Sequence, residues 1–231
     1  MKVRSLFAVV LAVPGVLAAV PKDSLQDVLA RMDEAASKFQ AMTAKATFVT
    51  HTDVINENAT ESGNVVMKKA GSNSVQALLD FTEPASSRRT VTFAGRKAQI
   101  YYPKIKTVQI FDLGKGGEQI DQFVMLGFGT SGTELAKSYG MRVLGPETIN
   151  GQPAIKLELT PKSEEARHYI TRMEMWVPDH GAPYPLQEKV YEPSGDYRLI
   201  TYTDLKINPP IKSDAMKLKL PAGVKEEYPQ K

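Results

Sequence analysis

The sequence from residue 42 to residue 207 is dominated by short segments in which apolar and polar residues alternate. In the first of them, Ala44, Ala46 and Phe48 alternate with Lys45 and Thr47. This period of two is typical of half-buried strands, and turn residues separate the segments about every 8 to 12 residues, as in an antiparallel meander. About eleven strands are predicted, at 42–55, 65–69, 75–81, 90–93, 99–102, 106–111, 141–144, 154–160, 169–177, 186–191 and 198–207.

The segment that precedes the strands has a helical period. Ser24 opens a stretch in which Leu25, Val28, Met32 and Phe39 recur at helical spacing, which predicts one amphipathic helix. No linker rich in Pro or Gly divides the chain after this helix, so residues 20–231 are expected to form a single domain.

Residues 113–140 interrupt the alternation. A glycine-rich turn at 114–117 precedes residues 118–128, which are apolar around much of a helical circumference and need cover on more than one side. Ser131 and Glu134 then form a capping box for a further short helix that ends near Gly140. The apolar segment is predicted to be a helical lid over the sheet, with the apolar positions Ile120, Phe123, Val124, Leu126 and Phe128.

A sheet of this size exposes more apolar surface than one four-turn helix covers. We therefore expect the sheet to curve on itself, because closure hides apolar surface and removes free edges. The predicted fold is mainly β (β+α): an incomplete antiparallel β-barrel of about eleven strands, with an N-terminal helix and a mid-chain helical lid.

Apolar positions of the predicted strands mix Met, aromatic and branched side chains, a combination that adapts to flexible apolar ligands. Periodicity does not separate a filled core from a cavity, and both interpretations stay open at this stage. The candidate cavity residues are Met67, Leu79, Phe81, Phe93, Ile100, Tyr102, Ile110, Leu157, Met173, Met175 and Leu186.

The N-terminus has the pattern of a cleavable export signal. Lys2 and Arg4 precede an apolar run at 6–13, and small residues at 16–19 provide a cleavage site after Ala18 or Ala19. The apolar run is shorter than the ~20 residues of a membrane-spanning helix, so residues 1–19 are interpreted as a signal peptide. Loss of Lys2 and Arg4 from the 29 basic residues leaves 27 against 26 acidic ones, a balance that gives no reason to expect nucleic-acid binding.

The sequence contains no motif for catalysis or metal binding. There is no cysteine, and the three histidines, His51, His168 and His180, stand apart without metal-ligand spacing and are expected at the surface. The acidic residues Asp179, Glu188, Glu192 and Asp196 and the pair Arg88-Arg89 are interpreted as solvated, and Trp176 is placed on the sheet face opposite Met173 and Met175. We therefore predict no cofactor, no metal and no enzymatic activity.

The order helix, meander, apolar helix, second meander resembles the LolA family of periplasmic lipoprotein carriers and its superfamily with LolB and RseB. The resemblance spans most of the chain after residue 19 and is carried by 32–48, 93–113, 133–139, 157–161 and 173–197, with Asn208 and 220–224 at the end. At the place of the family's Arg-Pro pair, which holds the lid, this chain has Lys68-Lys69-Ala70-Gly71.

The resemblance implies a soluble, monomeric periplasmic protein whose cavity holds the acyl chains of lipoproteins or other lipids. It also implies two partners, an inner-membrane release complex and an outer-membrane acceptor. Acceptors of this superfamily are anchored through a cysteine just after the signal; since this sequence has none, the resemblance favours a diffusing carrier. The alternative is a lipid-sensing regulatory module of RseB type that binds a membrane protein partner, although RseB proteins carry an additional C-terminal domain.

Overall fold

The computed structural model describes residues 24–71, 74–114, 126–212 and 214–230. The signal-peptide assignment of residues 1–19 and the predicted lid positions Ile120, Phe123 and Val124 lie outside these ranges. Among the described residues, no helix combines the length and the hydropathy needed to cross a bilayer.

Three helices and twelve strands make up the described chain. The helices are α1 (Leu25–Lys38), α2 (Gly132–Ser138) and α3 (Glu164–Arg167). The strands are β1 (Ala41–Thr52), β2 (Glu57–Lys69), β3 (Val75–Glu83), β4 (Arg89–Ala94), β5 (Lys97–Tyr102), β6 (Thr107–Asp112), β7 (Tyr139–Ile149), β8 (Gln152–Pro161), β9 (Arg172–Pro178), β10 (Gln187–Tyr191), β11 (Tyr197–Ile207) and β12 (Lys225–Glu227).

All strands belong to one open sheet with the order β12-β6-β5-β4-β3-β2-β1-β11-β10-β9-β8-β7. Two meanders, β1 to β6 and β7 to β11, therefore meet where β1 pairs with β11. The eleven predicted strands and the mainly β, incompletely closed architecture are confirmed. The twelfth strand, which pairs in parallel with β6, was not predicted because three residues are too few for a period to be recognised.

Both predicted helix starts are capped as the sequence indicates. The Ser24 hydroxyl accepts a hydrogen bond from the Asp27 backbone N–H, and the Asp27 carboxylate accepts one from the Ser24 N–H, which completes a capping box. At α2, the Ser131 hydroxyl accepts a hydrogen bond from the Glu134 N–H.

Asn208 joins the end of α1 to the start of β1. Its Oδ1 accepts hydrogen bonds from the backbone N–H groups of Gln40 (2.7 Å) and Ala41 (3.1 Å), and its Nδ2 donates to the Lys38 carbonyl (2.8 Å). One side chain at the end of β11 thus satisfies three backbone groups at the helix-to-strand transition, so the position of α1 is tied to the sheet.

The helices α1 and α2 and the turn at 126–129 pack against one face of the sheet, which we call the inner face. One core cluster places Val28 and Met32 of α1 and Leu135 of α2 against β8, β9 and β10. A second cluster joins the C-terminal part of α1 to β1, β2 and β3 and includes Phe39 and Phe128. The two clusters fix which strands are buried under helices and which are not.

Candidate functional site

The inner face can be traced through the strand register, since direct cross-strand partners lie on the same face. One row of partners crosses seven strands from β7 to β2: Val143, Leu157, Met175, Glu188, Ile200, Phe48 and Glu61. A parallel row crosses from β1 to β6: Met42, Met67, Ala77, Phe93, Ala98 and Phe111. Ten of the eleven candidate cavity residues lie on this face by register or by direct continuation of it.

Three of these candidates are core residues in the described structure. Leu157, Met173 and Met175 are at most 1% exposed because α1 and α2 cover them. Met67 is also buried, in the second cluster. At these positions the inner face is therefore a filled core and not a cavity.

The inner face of β3, β4 and β5 is less completely covered. Leu79, Phe93, Ile100 and Tyr102 are all half-buried, whereas their counterparts on β8 and β9 are enclosed. Together with the buried Val91, which pairs with both Leu79 and Ile100, these four side chains form an apolar strip over three neighbouring strands, which we call the inner strip. Because these four apolar side chains are partly exposed, an apolar ligand can cover the inner strip.

Ile110 does not belong to the inner strip. It pairs with Gln99, which pairs in turn with Thr92, so Ile110 lies on the opposite face of the sheet. The assignment from sequence was wrong because apolar residues occupy consecutive positions of β6, and such a run does not reveal which residues point inward.

A cavity of about 370 Å³ lies at one end of the sheet, below the β9–β10 connection. Leu186, a predicted cavity residue, lines it together with Tyr184, Tyr202, Leu205 and Ile207. Tyr184 is held by a hydrogen bond from its hydroxyl to the Ala35 carbonyl (3.0 Å), so one wall of the cavity is fixed to α1.

Two predicted lid residues fall within the described chain, in a turn at 126–129. Leu126 and Phe128 are 4% and 1% exposed, and the Phe128 ring packs edge-on against Tyr202 at 5.1 Å and parallel to Tyr184 at 6.2 Å. Gly127 has φ of +77°, and a Cβ there would approach Pro185 Cγ to 2.3 Å, so only glycine allows this close packing. Both side chains are part of the core clusters on the inner face. Their role as a lid stays a prediction.

The prediction that Glu188 is solvated was wrong. The residue is 7% exposed and lies in the middle of the apolar inner face, opposite Met175 and Ile200. Tyr202 donates a hydrogen bond to its Oε2 (2.9 Å), while Oε1 has no hydrogen-bond partner among the described residues. Burial raises the pKa of Glu188 to about 7, and the hydrogen bond from Tyr202 acts in the opposite direction.

Arg89 was also expected in solvent and instead belongs to the inner face. Its guanidinium donates two hydrogen bonds to the Glu61 carboxylate, including Nη2 to Oε2 at 2.8 Å, and lies 3.9 Å from the centre of the Phe81 ring. The hydrogen bonds from Arg89 lower the pKa of Glu61. The pair closes one end of the apolar surface with a fixed polar border.

The remaining polar residues show no catalytic arrangement within the described ranges. No group of three or more His, Cys, Asp or Glu side chains there is placed to hold a metal ion. Trp176 is on the face opposite Met173 and Met175, as predicted, and is buried, with its indole N–H donating to Glu147 Oε2 (2.6 Å).

Comparison with known proteins finds similar folds among solved structures. No family model and no curated protein matches the sequence. A conserved protein from Thermus thermophilus aligns with a TM-score of 0.53 and 12% identity over 88% of this chain and 98% of its own. MucB aligns with a TM-score of 0.51 and 17% identity over 84% of this chain and 62% of MucB.

A LolA superfamily protein from Nitrosomonas europaea aligns more loosely, with a TM-score of 0.39 and 15% identity over 82% of this chain and 96% of its own. The chain shares the fold of the Thermus thermophilus protein and of MucB, and the resemblance found in the sequence is confirmed at the level of the fold.

Proposed function

We propose that this protein binds the acyl chains of lipoproteins or other lipids on its inner face and carries them through the periplasm from the inner to the outer membrane. The observation that supports the proposal is the inner strip: Leu79, Phe93, Ile100 and Tyr102 remain half-buried beside strands whose inner face is filled. The LolA-like superfamily fold is consistent with this use of the face.

The energetics favour an acyl chain as the ligand. Each methylene that leaves water for an apolar surface contributes about 0.8 kcal/mol, so a chain that lies along the inner strip needs to bury about ten methylenes to reach micromolar-range binding without any polar contact. On the same face, Gln109 and Thr107 of β6 are the direct partners of Ile100 and Tyr102, and the Arg89–Glu61 pair lies at one end. The strip is therefore apolar with polar residues along its borders. We infer binding, not catalysis, and no cofactor.

The carrier role adds expectations about location and partners. The sequence pattern at 1–19 indicates export, and we propose that the remaining single domain acts as a soluble monomer. A carrier between two membranes requires a release complex at the inner membrane and an acceptor at the outer membrane, and both are proposed partners.

A pair of isoleucines gives a matched test of ligand binding. Ile100 and Ile110 are half-buried on neighbouring strands but lie on opposite faces of the sheet. The double variant Phe93→Ser/Ile100→Ser is expected to bind a fluorescent fatty acid roughly tenfold more weakly or worse, whereas Ile110→Ser binds it as the wild type does. Fluorescence titration gives the affinities, and native mass spectrometry of protein purified from envelopes shows copurifying lipid.

The results that would contradict the proposal are equally specific. Wild-type protein that takes up no fatty acid and is always empty in native mass spectra argues against any lipid ligand. Equal loss of binding in the double variant and in Ile110→Ser would place the ligand elsewhere or reveal a general loss of structure, which thermal unfolding of each variant distinguishes.

A second candidate is a lipid-sensing module of RseB type that binds a membrane protein partner. The fold match to MucB favours it, although the chain spans only 62% of MucB. Capture of the periplasmic part of an anti-sigma factor by the purified protein, released on addition of lipid, would support the sensor over the carrier.

A further inference from the structure

The turns at the two ends of the sheet differ in chemistry. At one end lie the β1–β2, β3–β4, β5–β6 and β10–β11 turns and the β8–β9 connection, since successive strands are antiparallel. Direct contact between two of them fixes this arrangement: the Asp53 backbone N–H in the β1–β2 turn donates to Asp196 Oδ1 in the β10–β11 turn (2.8 Å). We call this end the turn rim.

Large apolar side chains are exposed along the turn rim. Val54 is 86%, Ile55 61%, Ile105 65% and Tyr169 73% exposed. The turns at the opposite end, such as 95–96, 150–151 and 179–181, consist of Gly, Asn, Asp, Arg and His. Apolar exposure at the rim is therefore a property of one end and not of the turns of this sheet in general.

Two of the turns at the turn rim expose an isoleucine through the same backbone conformation. Each is a 3₁₀ turn of three residues, Asp53–Ile55 and Pro103–Ile105, followed by a residue in the left-handed region, Asn56 (φ 51°) or Lys106 (φ 48°). The N–H of that residue closes the turn on the carbonyl of its first residue, at 3.0 Å and 3.3 Å. Both turns thus hold the isoleucine outward in a defined conformation.

Positive charge accompanies the apolar residues on the β5–β6 side. Lys104 and Lys106 flank Ile105, and Arg88 is exposed in the adjacent β3–β4 turn. Within the described ranges none of these three side chains forms an ion pair. Apolar side chains beside unpaired cations are the combination that binds the interface of an anionic bilayer, where the apolar groups enter the headgroup region and the cations contact phosphates.

From these observations we propose that the turn rim docks onto the surface of an anionic lipid bilayer, with Val54, Ile55 and Ile105 in the interface and Lys104, Lys106 and Arg88 at the headgroups. The β1–β2 and β5–β6 turns are four strand spacings apart, roughly 19 Å. Contacts so widely separated along one edge of a sheet match an extended flat surface better than a pocket.

Vesicle binding by the purified protein tests the proposal. Sedimentation with vesicles of phosphatidylcholine containing about one third phosphatidylglycerol is expected to retain the wild type, and pure phosphatidylcholine to retain much less. The variant Val54→Ser/Ile55→Ser/Ile105→Ser is expected to lower the partition coefficient roughly tenfold or more. Lys104→Gln/Lys106→Gln lowers binding to the anionic vesicles alone.

Two controls separate docking from other causes of vesicle binding. Leu144→Ser changes an apolar residue that is 40% exposed in mid-strand, away from the rim, and Ile110→Ser changes a half-buried residue on the face opposite the inner strip. Both are expected to bind vesicles as the wild type does. Wild-type protein that binds neither vesicle, equal binding to both vesicles, or a triple variant that binds like the wild type overturns the proposal.

Discussion

Tyr202 and Glu188 face each other on adjacent strands of the inner face, and the tyrosine hydroxyl donates a 2.9 Å hydrogen bond to one carboxylate oxygen. The second oxygen is buried without a partner in the described chain. A carboxyl group in this environment is more stable protonated, so its pKa is about 7 in the folded protein, compared with 4.5 for an ordinary glutamate. Folding and proton uptake by Glu188 are therefore coupled.

This coupling predicts a loss of stability as the pH rises. Between pH 4.5 and about 7 the unfolded chain releases the Glu188 proton while the folded protein keeps it, so the free energy of unfolding falls by about 3 kcal/mol and then levels off. Glu188→Gln should lack this contribution. Urea unfolding gives the free energy of unfolding of the wild type and of Glu188→Gln at pH 5 and at pH 8. The difference between the two proteins should change between these pH values, because the cost of burying the amide is the same at both. If the difference does not change, the pKa assigned to Glu188 is contradicted.

The Arg89–Glu61 pair predicts a difference between two adjacent arginines. Arg89→Met removes a bidentate hydrogen-bonded pair that is about three-quarters buried and should lower the free energy of unfolding by roughly 2 kcal/mol. Arg88→Met, at the exposed neighbouring position, should change it by less than about 0.5 kcal/mol. Because the pKa of Glu61 is lowered, the contribution of Arg89 is present above pH 4.5 and is lost as the pH falls below it. Urea unfolding of both variants at pH 7 and pH 4 measures these differences, and equal stability of the two variants at pH 7 would contradict the prediction.

Addition of a single methyl group at Gly63 is expected to lower the stability of the protein strongly. It lies at the irregularity between β2 and β3, where a Cβ would come 2.2 Å from the Asp80 carbonyl oxygen. Gly63→Ala should therefore destabilise the protein by more than ~2 kcal/mol. Gly140→Ala in β7 is the matched control, because its Cβ meets no atom closer than 3.8 Å, and it should be neutral within about 1 kcal/mol. Thermal unfolding of both variants decides; equal melting temperatures would show that β2 and β3 separate easily.

Substitution of Asn208 is expected to lower the free energy of unfolding through both the backbone conformation and the lost side-chain hydrogen bonds. Asn208→Ala removes three hydrogen bonds around the end of α1 and places alanine at φ 54°, which together should cost about 2 kcal/mol. Asn208→Gly keeps the backbone conformation accessible and loses only the hydrogen bonds, so it should cost about half as much. Chemical denaturation compares them, and a glycine variant as unstable as the alanine variant would assign the whole effect to the side chain.

The strands could be predicted because their patterns and turns are local. All eleven antiparallel strands follow from alternation, and the Ser24 and Ser131 caps follow from short motifs. The inner strip was largely predicted for the same reason, since Leu79, Phe93 and Ile100 keep one parity along short strands.

The misplaced residues share a different physical cause. Glu188 and Arg89 were assigned to solvent from their charge and their closeness to turns, but their environment depends on partners from other strands, Tyr202 in one case and Glu61 in the other. The division of the inner face into a filled and a half-buried part depends likewise on where α1 and α2 pack, and no local pattern encodes that position. Ile110 was misassigned because register, not composition, decides the face.

The seam between β1 and β11 has a consequence for how the chain reaches its native state. Residues 41–52 find their partners on this side only among 197–207, so the N-terminal meander keeps β1 as an unpaired edge until nearly the whole chain is available. Such distant pairing slows folding, and an unpaired edge invites association with other chains. During synthesis, protection of this one strand from premature pairing would decide how much of the protein folds correctly.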